Sequence, residues 1–206
     1  MDRETFNTKV IPLFVVSLLI ATVGVLLGFI IPPVLFIPVV IAEFLILLAA
    51  FFFRRRVGIP LWMLLLFTLL TGITTAPIVY WAGVQGGTQI IFEALALTTV
   101  VFGSLAGYVY FTGRDFRSMG TFLFFALFGL ILASLVNIFL NQPLFSVIID
   151  VAVLLVFLGF VLYDMSKILR DYSEDQVTDA VLALYLDFLN IFIRILELLI
   201  LSKRRR

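Results

Sequence analysis

Two aspartates, Asp164 and Asp187, lie in strongly apolar stretches near the C-terminal end of the chain. A carboxylate at the centre of a bilayer costs about 3 kcal/mol on insertion scales, so such residues usually have a function. A short connection between two antiparallel helices would bring these side chains to a similar depth. Touching carboxylates cannot both ionise cheaply, and they titrate as a unit around a shared proton. Alternatively, each aspartate is satisfied separately, by backbone groups or by a basic neighbour at a helix end.

The residue types that the chain lacks restrict its chemistry to carboxylates. Among the 206 residues there is no histidine and no cysteine. The sequence therefore lacks disulfides, thiolate nucleophiles, the usual sensor of physiological pH and the commonest zinc ligands. Paired carboxylate oxygens suit a proton or a hard cation such as Ca²⁺. Asp164 and Asp187 are accordingly predicted to form a pH sensor and to contact Ca²⁺, with no resident cofactor.

The composition indicates a protein embedded in a bilayer. Hydrophobic residues make up 63% of the chain and the mean hydropathy is +1.22, whereas soluble domains contain about 45–50% apolar residues. We predict an all-α polytopic membrane protein with a single transmembrane domain over residues 1–206. Since a helix needs about 20 residues to cross, the seven predicted spans cover about residues 10–31, 34–53, 60–82, 88–111, 119–140, 144–168 and 177–201.

The seventh span differs from the others because it carries a polar stripe. Its polar members fall at offsets that place them near one face of a helix: Asp179, Asp187, Asn190, Arg194 and Glu197. A polar face cannot contact lipid and must face protein or a water-filled path. We therefore predict that this helix is central and that the other six surround it. Arg194 and Glu197, three residues apart, are expected to pair.

The second span contributes an acid and ends in a basic cluster. Glu43 lies in the middle of this span, where an acidic side chain is expected to face the interior of the bundle. Arg54, Arg55 and Arg56 follow, as in a positive-inside anchor. The glycines Gly24 and Gly28 of the first span either permit close helix contact or are simply tolerated there.

The distribution of basic residues predicts the orientation. If all seven spans cross, one side holds the N-terminus and the connections after the second, fourth and sixth spans, with the basic residues Arg3, Lys9, Arg54, Arg55, Arg56, Arg114, Arg117, Lys167 and Arg170. The other side then holds only the basic tail, 203–206. The positive-inside rule places the first side in the cytoplasm and also favours a cytoplasmic tail. Both hold only if the last helix is re-entrant or partly inserted.

Several sequence blocks resemble the Bax inhibitor family, the transmembrane Bax inhibitor motif proteins. The blocks occur in the family's order and cover nearly the whole chain: Leu162-Tyr163-Asp164, the run ALYLDFLNIF at 183–192, FTLLTGIT at 67–74 with Ala76-Pro77, and FTGRDF at 111–116. The lack of a long N-terminal segment makes the chain similar to prokaryotic members, and a prokaryotic plasma membrane is the expected location.

The resemblance implies six helices around a seventh and a pH-sensitive calcium leak whose sensor is a buried aspartate pair. The matching positions are Asp164 and Asp187, with Glu43 as the glutamate of the second span. Arg54 is similar to the family's latch arginine, although three consecutive arginines leave the register open by one. Asn190, Arg194 and Glu197 are expected to line the ion pathway.

Other functions remain as alternatives. A proton-coupled transporter for a small solute is one, although two symmetric halves would be expected and no repeat is evident. A scaffold would leave the acidic pair without a purpose. An intramembrane aspartyl protease would need glycine-x-glycine before its second aspartate, where this chain has Leu184-Tyr185-Leu186. We therefore expect no enzyme activity and no nucleic-acid partner. Lipid, Ca²⁺ and protons are the expected partners of a protein that acts as a monomer.

Overall fold

A computed structural model describes residues 1–54 and 58–204, apart from the side chains of Phe51, Phe53, Arg54 and Arg204. Within these ranges the protein is all-α, as predicted, and has no strands. Seven long helices follow one another: α1 Arg3–Gly28, α2 Phe36–Arg54, α3 Leu61–Gly86, α4 Thr88–Thr112, α5 Gly120–Leu140, α6 Pro143–Asp171 and α7 Val177–Arg204. Single 3₁₀ turns, Pro33–Leu35 and Arg117–Met119, precede α2 and α5.

Local sequence explains where these helices begin and end. The Asp2 side chain caps α1 by accepting a hydrogen bond from the Thr5 backbone N–H at 2.8 Å. Helix α4 ends at Gly113, whose φ of 65° is a left-handed conformation that glycine adopts without steric cost. Asn141 closes α5 in the same way with φ 50°. Pro143 then begins α6, in the first helical turn where its missing N–H is harmless.

Six of the seven helices are long and apolar enough to cross a membrane. The exception among the described helices is α7, whose polar stripe lowers its hydropathy. No α7 residue from Val177 to Leu201 is exposed, as expected for a helix that is shielded from lipid. The chain is therefore an integral membrane protein of the polytopic all-α class.

The helices divide into two compact units. Unit 1 contains Met1–Trp81 and Asp171–Tyr185, and therefore α1, α2, most of α3 and the start of α7. Unit 2 contains Ala82–Arg170 and the chain from Leu186 onward, and therefore α4, α5, α6 and the rest of α7. That the whole chain forms one transmembrane domain stays a prediction.

In unit 1, glycines allow α1 and α3 to touch along their backbones. A Cβ added to Gly24 would lie 2.2 Å from the Leu69 carbonyl oxygen, and one added to Gly72 would lie 2.1 Å from the Ala21 carbonyl oxygen. One added to Gly28 would lie 2.4 Å from the Ala76 Cβ. Of the two interpretations of Gly24 and Gly28, close helix contact is therefore the one that the structure supports.

Each end of α7 is hydrogen-bonded to a residue at or near an end of α3. In unit 1, the Ile59 N–H, just before α3, donates to Asp179 Oδ2 in the first turn of α7 at 3.2 Å. In unit 2, Lys203 Nζ at the end of α7 donates to the carbonyl of Gly86, the last residue of α3, at 3.2 Å. The start of α7 therefore lies beside the start of α3 within unit 1, and the end of α7 lies beside the end of α3 within unit 2.

Candidate functional site

The predicted aspartate pair lies in unit 2, where α6 supplies Asp164 and α7 supplies Asp187. Asp187 is only 3% exposed. Asp164 lies close enough for its charge to act on the Asp187 carboxyl group. Among the described residues, Asp187 Oδ2 has no hydrogen-bond partner although it is buried. The tertiary structure thus brings together two carboxyl groups that are distant in sequence, and it leaves one of their oxygens available to a proton or a cation.

The oxygen count bears on how this pair could hold an ion. Within the described ranges, no group of three or more histidine, cysteine, aspartate or glutamate side chains is placed to hold a metal. A resident Ca²⁺ takes six to eight oxygen ligands. The two carboxylates of Asp164 and Asp187 supply only part of such a ligand set, and water would have to supply the rest.

Near the aspartate pair, hydrogen bonds connect the α4–α5 connection to the C-terminal end of α6. The distribution of basic residues predicts that this end of α6 faces the cytoplasm. Ser166, which is fully buried, accepts a hydrogen bond from the Phe116 N–H at 3.0 Å and donates one to the Arg114 carbonyl at 3.3 Å. Arg170 donates to the Gly113 carbonyl. Since Ser166 is two residues after Asp164, these bonds hold the part of α6 that carries this predicted sensor residue.

An exposed ion pair lies in the same connection. Arg117 donates side-chain and backbone hydrogen bonds to Asp115, with Nη2 and Oδ2 2.8 Å apart. These bonds and the charges of Arg117 and Arg170 lower the pKa of Asp115 from 3.8 to about 2. Asp115 therefore stays ionised throughout the physiological range, so it is no candidate for the pH sensor.

Glu43 lies in unit 1, on α2, and is half-buried. Its Oε2 accepts a hydrogen bond of 2.7 Å from Thr74 Oγ1 of α3. The expectation that this acid faces other helices agrees with that contact. Arg54, the predicted latch residue, is the last described residue of α2. Its side chain lies outside the described part of the chain, as do Arg55 and Arg56.

Arg194 forms the centre of an ion-pair cluster in unit 2. Its Nη1 donates to Glu197 Oε2 at 2.6 Å, which confirms the expected i,i+3 pair. The same nitrogen donates to Asp150 Oδ1 of α6 at 2.8 Å. Two carboxylates therefore share one guanidinium, so the cluster has a formal charge of −1. Asn190, the remaining predicted pathway residue, donates to the carbonyl of Leu186 in its own helix at 2.8 Å.

Sequence reasoning did not assign Asp150 to the site. The available signal was that an acidic residue inside an apolar span needs a partner, and Arg194 was the basic residue inside another span. Tyr185 was also missed. Its hydroxyl is hydrogen-bonded to Thr71 Oγ1 of α3 within unit 1, a contact that no sequence spacing predicts.

Comparison with known proteins identifies the family of this chain. The family profile described as "Inhibitor of apoptosis-promoting Bax1" matches residues 3–205. The chain belongs to the Bax inhibitor family. An "uncharacterized protein" of Helicobacter pylori is 38% identical over 193 residues, which cover 90% of this chain and 82% of that protein.

More distant members of the Bax inhibitor family also match most of the chain. The "Golgi anti-apoptotic protein" of vaccinia virus is 31% identical, over 84% of this chain and 71% of its own length. "Protein LIFEGUARD 4" of Arabidopsis thaliana is 32% identical, over 73% of this chain and 72% of its own length. Membership therefore connects this chain with bacterial, viral and plant proteins.

Proposed function

We propose that this Bax inhibitor family protein is a pH-sensitive calcium leak channel, gated by the protonation state of Asp164 and Asp187. The observation that carries the proposal is the buried carboxyl group of Asp187, which lies within electrostatic reach of Asp164 and has an oxygen that no described residue binds. A buried polar atom without a partner is costly. A protein that retains one is expected to use it.

In the proposed mechanism, a proton shared by Asp164 and Asp187 holds α6 and α7 together. Loss of this proton leaves two negative charges that repel each other or accept a cation. The oxygens of the two carboxylates are hard ligands that suit Ca²⁺, which is the proposed permeant ion. The pH of the surrounding solution thereby controls whether the seam between α6 and α7 stays closed.

Other polar residues extend the proposed pathway. Asn190, Arg194 and Glu197 continue along α7 from Asp187, and Glu43 supplies a further carboxylate in unit 1. Arg54, at the end of α2, is the proposed latch. A channel needs only these fixed charges and a gate, so we propose no catalytic step and no resident cofactor.

The proposed location is the plasma membrane of a prokaryotic cell. A Vibrio cholerae relative described as an "uncharacterized membrane protein" is 37% identical over 134 residues, and the H. pylori relative is also bacterial. Because the proposed gate lies within one chain, a monomer suffices for function.

Calcium flux into proteoliposomes between about pH 6 and 8 tests the proposal, since coupled carboxylates in apolar surroundings can titrate in this range. Wild type is compared with Asp164→Asn and Asp187→Asn, which preserve side-chain size. We expect wild-type flux to change with pH and both variants to lose that dependence.

Each other outcome has a defined meaning. Flux with an unchanged pH response in the variants would retain the leak and reject the sensor. A folded wild-type protein that passes no Ca²⁺ at any pH would reject the channel, and proton-coupled transport of a small solute or a scaffold role would then take precedence.

A further inference from the structure

Helix α3 presents an unusual number of hydroxyl groups to the interior of unit 1. Its threonines recur at spacings of three and four, which places them near one face of the helix: Thr68, Thr71, Thr74 and Thr75. Thr68, Thr71 and Thr75 are buried and Thr74 is half-buried. Each hydroxyl lies within hydrogen-bonding distance of a carbonyl of its own helix three or four residues earlier. Such bonds satisfy buried threonines and often bend a helix.

Two of these hydroxyls have a second partner on another helix. Thr74 Oγ1 lies 2.7 Å from Glu43 Oε2 of α2 and 3.1 Å from the Thr71 carbonyl oxygen. Thr71 Oγ1 is hydrogen-bonded to the hydroxyl of Tyr185 on α7 and lies 3.0 Å from the Thr68 carbonyl oxygen. A hydroxyl carries one hydrogen, so each of these threonines donates to only one acceptor at a time.

The charge of Glu43 decides where Thr74 donates. An ionised Glu43 accepts the Thr74 hydrogen. A neutral carboxyl group can instead donate to Thr74 Oγ1, and the Thr74 hydrogen then turns to the Thr71 carbonyl. That carbonyl already accepts a 2.6 Å bond from Thr75 Oγ1. The state of Glu43 therefore changes the hydrogen bonding of the α3 turn that contains Thr71.

The next turn of α3, from Ile73 to Pro77, lacks one backbone hydrogen bond. Pro77 lies inside α3, and because proline has no N–H, the Ile73 carbonyl lacks the helical hydrogen bond that Pro77 would otherwise donate. Hydroxyl-to-backbone bonds and a proline are both known causes of local helix bending. The segment from Thr71 to Pro77 is thus the part of α3 that can respond to a redistribution of hydrogen bonds.

Tyr185 is the residue of α7 that contacts this segment of α3. Its side chain is completely buried and its ring packs edge-on against Phe67 with centroids 6.2 Å apart. Its hydroxyl reaches Thr71 Oγ1 and, at 3.4 Å, the Thr68 carbonyl oxygen. Tyr185 precedes Asp187 by two residues on the same helix.

We infer that Thr74, Thr71 and Tyr185 are positioning residues that transmit the state of Glu43 from α2 through α3 to α7. The role of this coupling in gating rests on the proposed function. The coupling itself is a property of unit 1 and can be measured without any ion flux.

The test uses protein labelled with ¹³C at the tyrosine Cζ, in lipid nanodiscs. The chain has six tyrosines, and the signal that disappears in Tyr185→Phe identifies Tyr185. Glu43→Gln mimics the neutral acid. We expect this substitution to shift the Tyr185 signal in wild type and in Thr71→Ser, which keeps the hydroxyl. In Thr71→Val, which keeps the shape but loses the hydroxyl, most of the shift should be lost.

The comparison of Thr71 variants is needed because the charge of Glu43 also acts on Tyr185 through space. A shift that is mostly retained in Thr71→Val would overturn the inference, as would the absence of any shift on Glu43→Gln. If Thr71→Val does not fold, Thr74→Val replaces it, because it removes the bond to Glu43 and keeps both hydroxyls of the Thr71–Tyr185 bond. A Tyr185 shift that is mostly retained in Thr74→Val would then overturn the inference.

A matched control separates the cross-helix bond from the general effect of losing a buried hydroxyl. Thr98 of α4 is fully buried, and its hydroxyl donates to the Ala94 carbonyl of its own helix at 2.8 Å. Thr98→Val should leave the response of Tyr185 to Glu43→Gln intact. In the flux assay, Thr71→Val should change the calcium flux about fivefold, as loss of one ordinary hydrogen bond would, whereas Thr71→Ser and Thr98→Val should not.

The two hypotheses fail separately. If wild type carries no Ca²⁺ while the Tyr185 signal behaves as expected, the proposed function is wrong and the coupling stands. If the flux is pH-dependent and the Tyr185 signal does not change on Glu43→Gln, the channel hypothesis stands and the coupling hypothesis is wrong.

Discussion

At the scale of single residues, this protein concentrates its unusual chemistry in carboxyl groups within apolar helices, and their partners differ. Glu43 has a threonine hydroxyl, Asp150 and Glu197 share a guanidinium, and Asp187 has a second carboxyl group nearby. A neighbouring guanidinium favours the charged form of a carboxyl group, whereas a neighbouring carboxylate disfavours it. This difference in partners supports the proposal that Asp164 and Asp187 form the sensor.

The first residue-scale prediction concerns the shared guanidinium. Arg194→Met leaves Asp150 and Glu197 without their common cation, and hydrogen bonds to charged groups contribute about 2 kcal/mol each. Since these side chains are partly exposed, we expect a total loss of about 2 kcal/mol in unfolding free energy, measured in detergent. Arg114→Met is the control. The exposed Arg114 side chain lies over the Tyr108 ring and forms no ion pair with an acidic side chain among the described residues. Equal stability of the two variants would contradict the prediction.

A second prediction concerns the pH dependence of the α4–α5 connection. Asp115 has a folded pKa of about 2, below its ordinary value of 3.8. Its stabilising effect is therefore fully present above about pH 4 and is lost as the pH falls through about 2. Hydrogen exchange of the Arg117 amide, which donates to Asp115 Oδ1 at 3.0 Å, should accelerate over this interval in wild type.

In Asp115→Asn the exchange rate of this amide should lack that additional acceleration, because the variant has no carboxylate to protonate. High salt should reduce the difference between the two proteins, since the ion pair is exposed and therefore screened. An identical pH profile for wild type and variant would show that Asp115 does not hold the connection.

At the scale of helices, α1 and α3 depend on small residues because their backbones are in contact. Without a hydrophobic driving force inside a bilayer, close packing and hydrogen bonds hold helices together. The glycines Gly24, Gly28 and Gly72 permit that packing in unit 1. In unit 2, Gly159 of α6 likewise permits close packing, but against a side chain of α5. A Cβ at Gly159 would lie 2.6 Å from Leu123 Cδ2.

The helix-scale prediction is that Gly72→Ala destabilises the protein by about 1–3 kcal/mol through overpacking, because its Cβ would collide with the Ala21 carbonyl. The matched control is Gly103→Ala in α4, where a Cβ would meet nothing within 4 Å. That change should be neutral or stabilising, since alanine favours a helix by about 1 kcal/mol over glycine. Thermal unfolding in one detergent compares them, and the reverse order would exclude backbone contact between α1 and α3.

At the scale of the whole molecule, the predicted topology depends on whether α7 crosses the membrane completely. The N-terminal amine donates to the Tyr172 carbonyl just before α7, within unit 1. Lys203, after the helix, donates to the end of α3 within unit 2. Because α7 has 28 residues, more than the roughly 20 that a crossing needs, we predict that it crosses completely and that the tail and the N-terminus lie on opposite sides of the membrane.

This topology predicts a labelling pattern. The chain has no cysteine, so single cysteines can be introduced at the exposed positions Ser118, Gln142 and Ser202. An impermeant maleimide applied to intact cells should label Gln142→Cys and Ser202→Cys but not Ser118→Cys, which should react only after lysis. Labelling of Ser118→Cys and Ser202→Cys on the same side would show that α7 does not cross.

Much of this molecule is already determined by its sequence, because many of its features depend on local properties. Hydropathy over about 20 residues is enough to define an apolar span, and six of the seven predicted spans are helices that are long and apolar enough to cross. The polar stripe of α7 follows from the period of the helix, and the Arg194–Glu197 pair follows from a spacing of three. The family blocks around Asp164 and Asp187 are sufficient by themselves to indicate the candidate sensor residues.

The tertiary structure decided what depends on distant residues. Asp150 and Arg194 are 44 positions apart, and Thr71 and Tyr185 are 114 apart. No helical period relates such positions, because the partner of a side chain depends on which helices pack together and at what rotation. The unpartnered oxygen of Asp187 is likewise a property of its surroundings. The sequence therefore determined which groups enter the bilayer, and packing determined which of them meet.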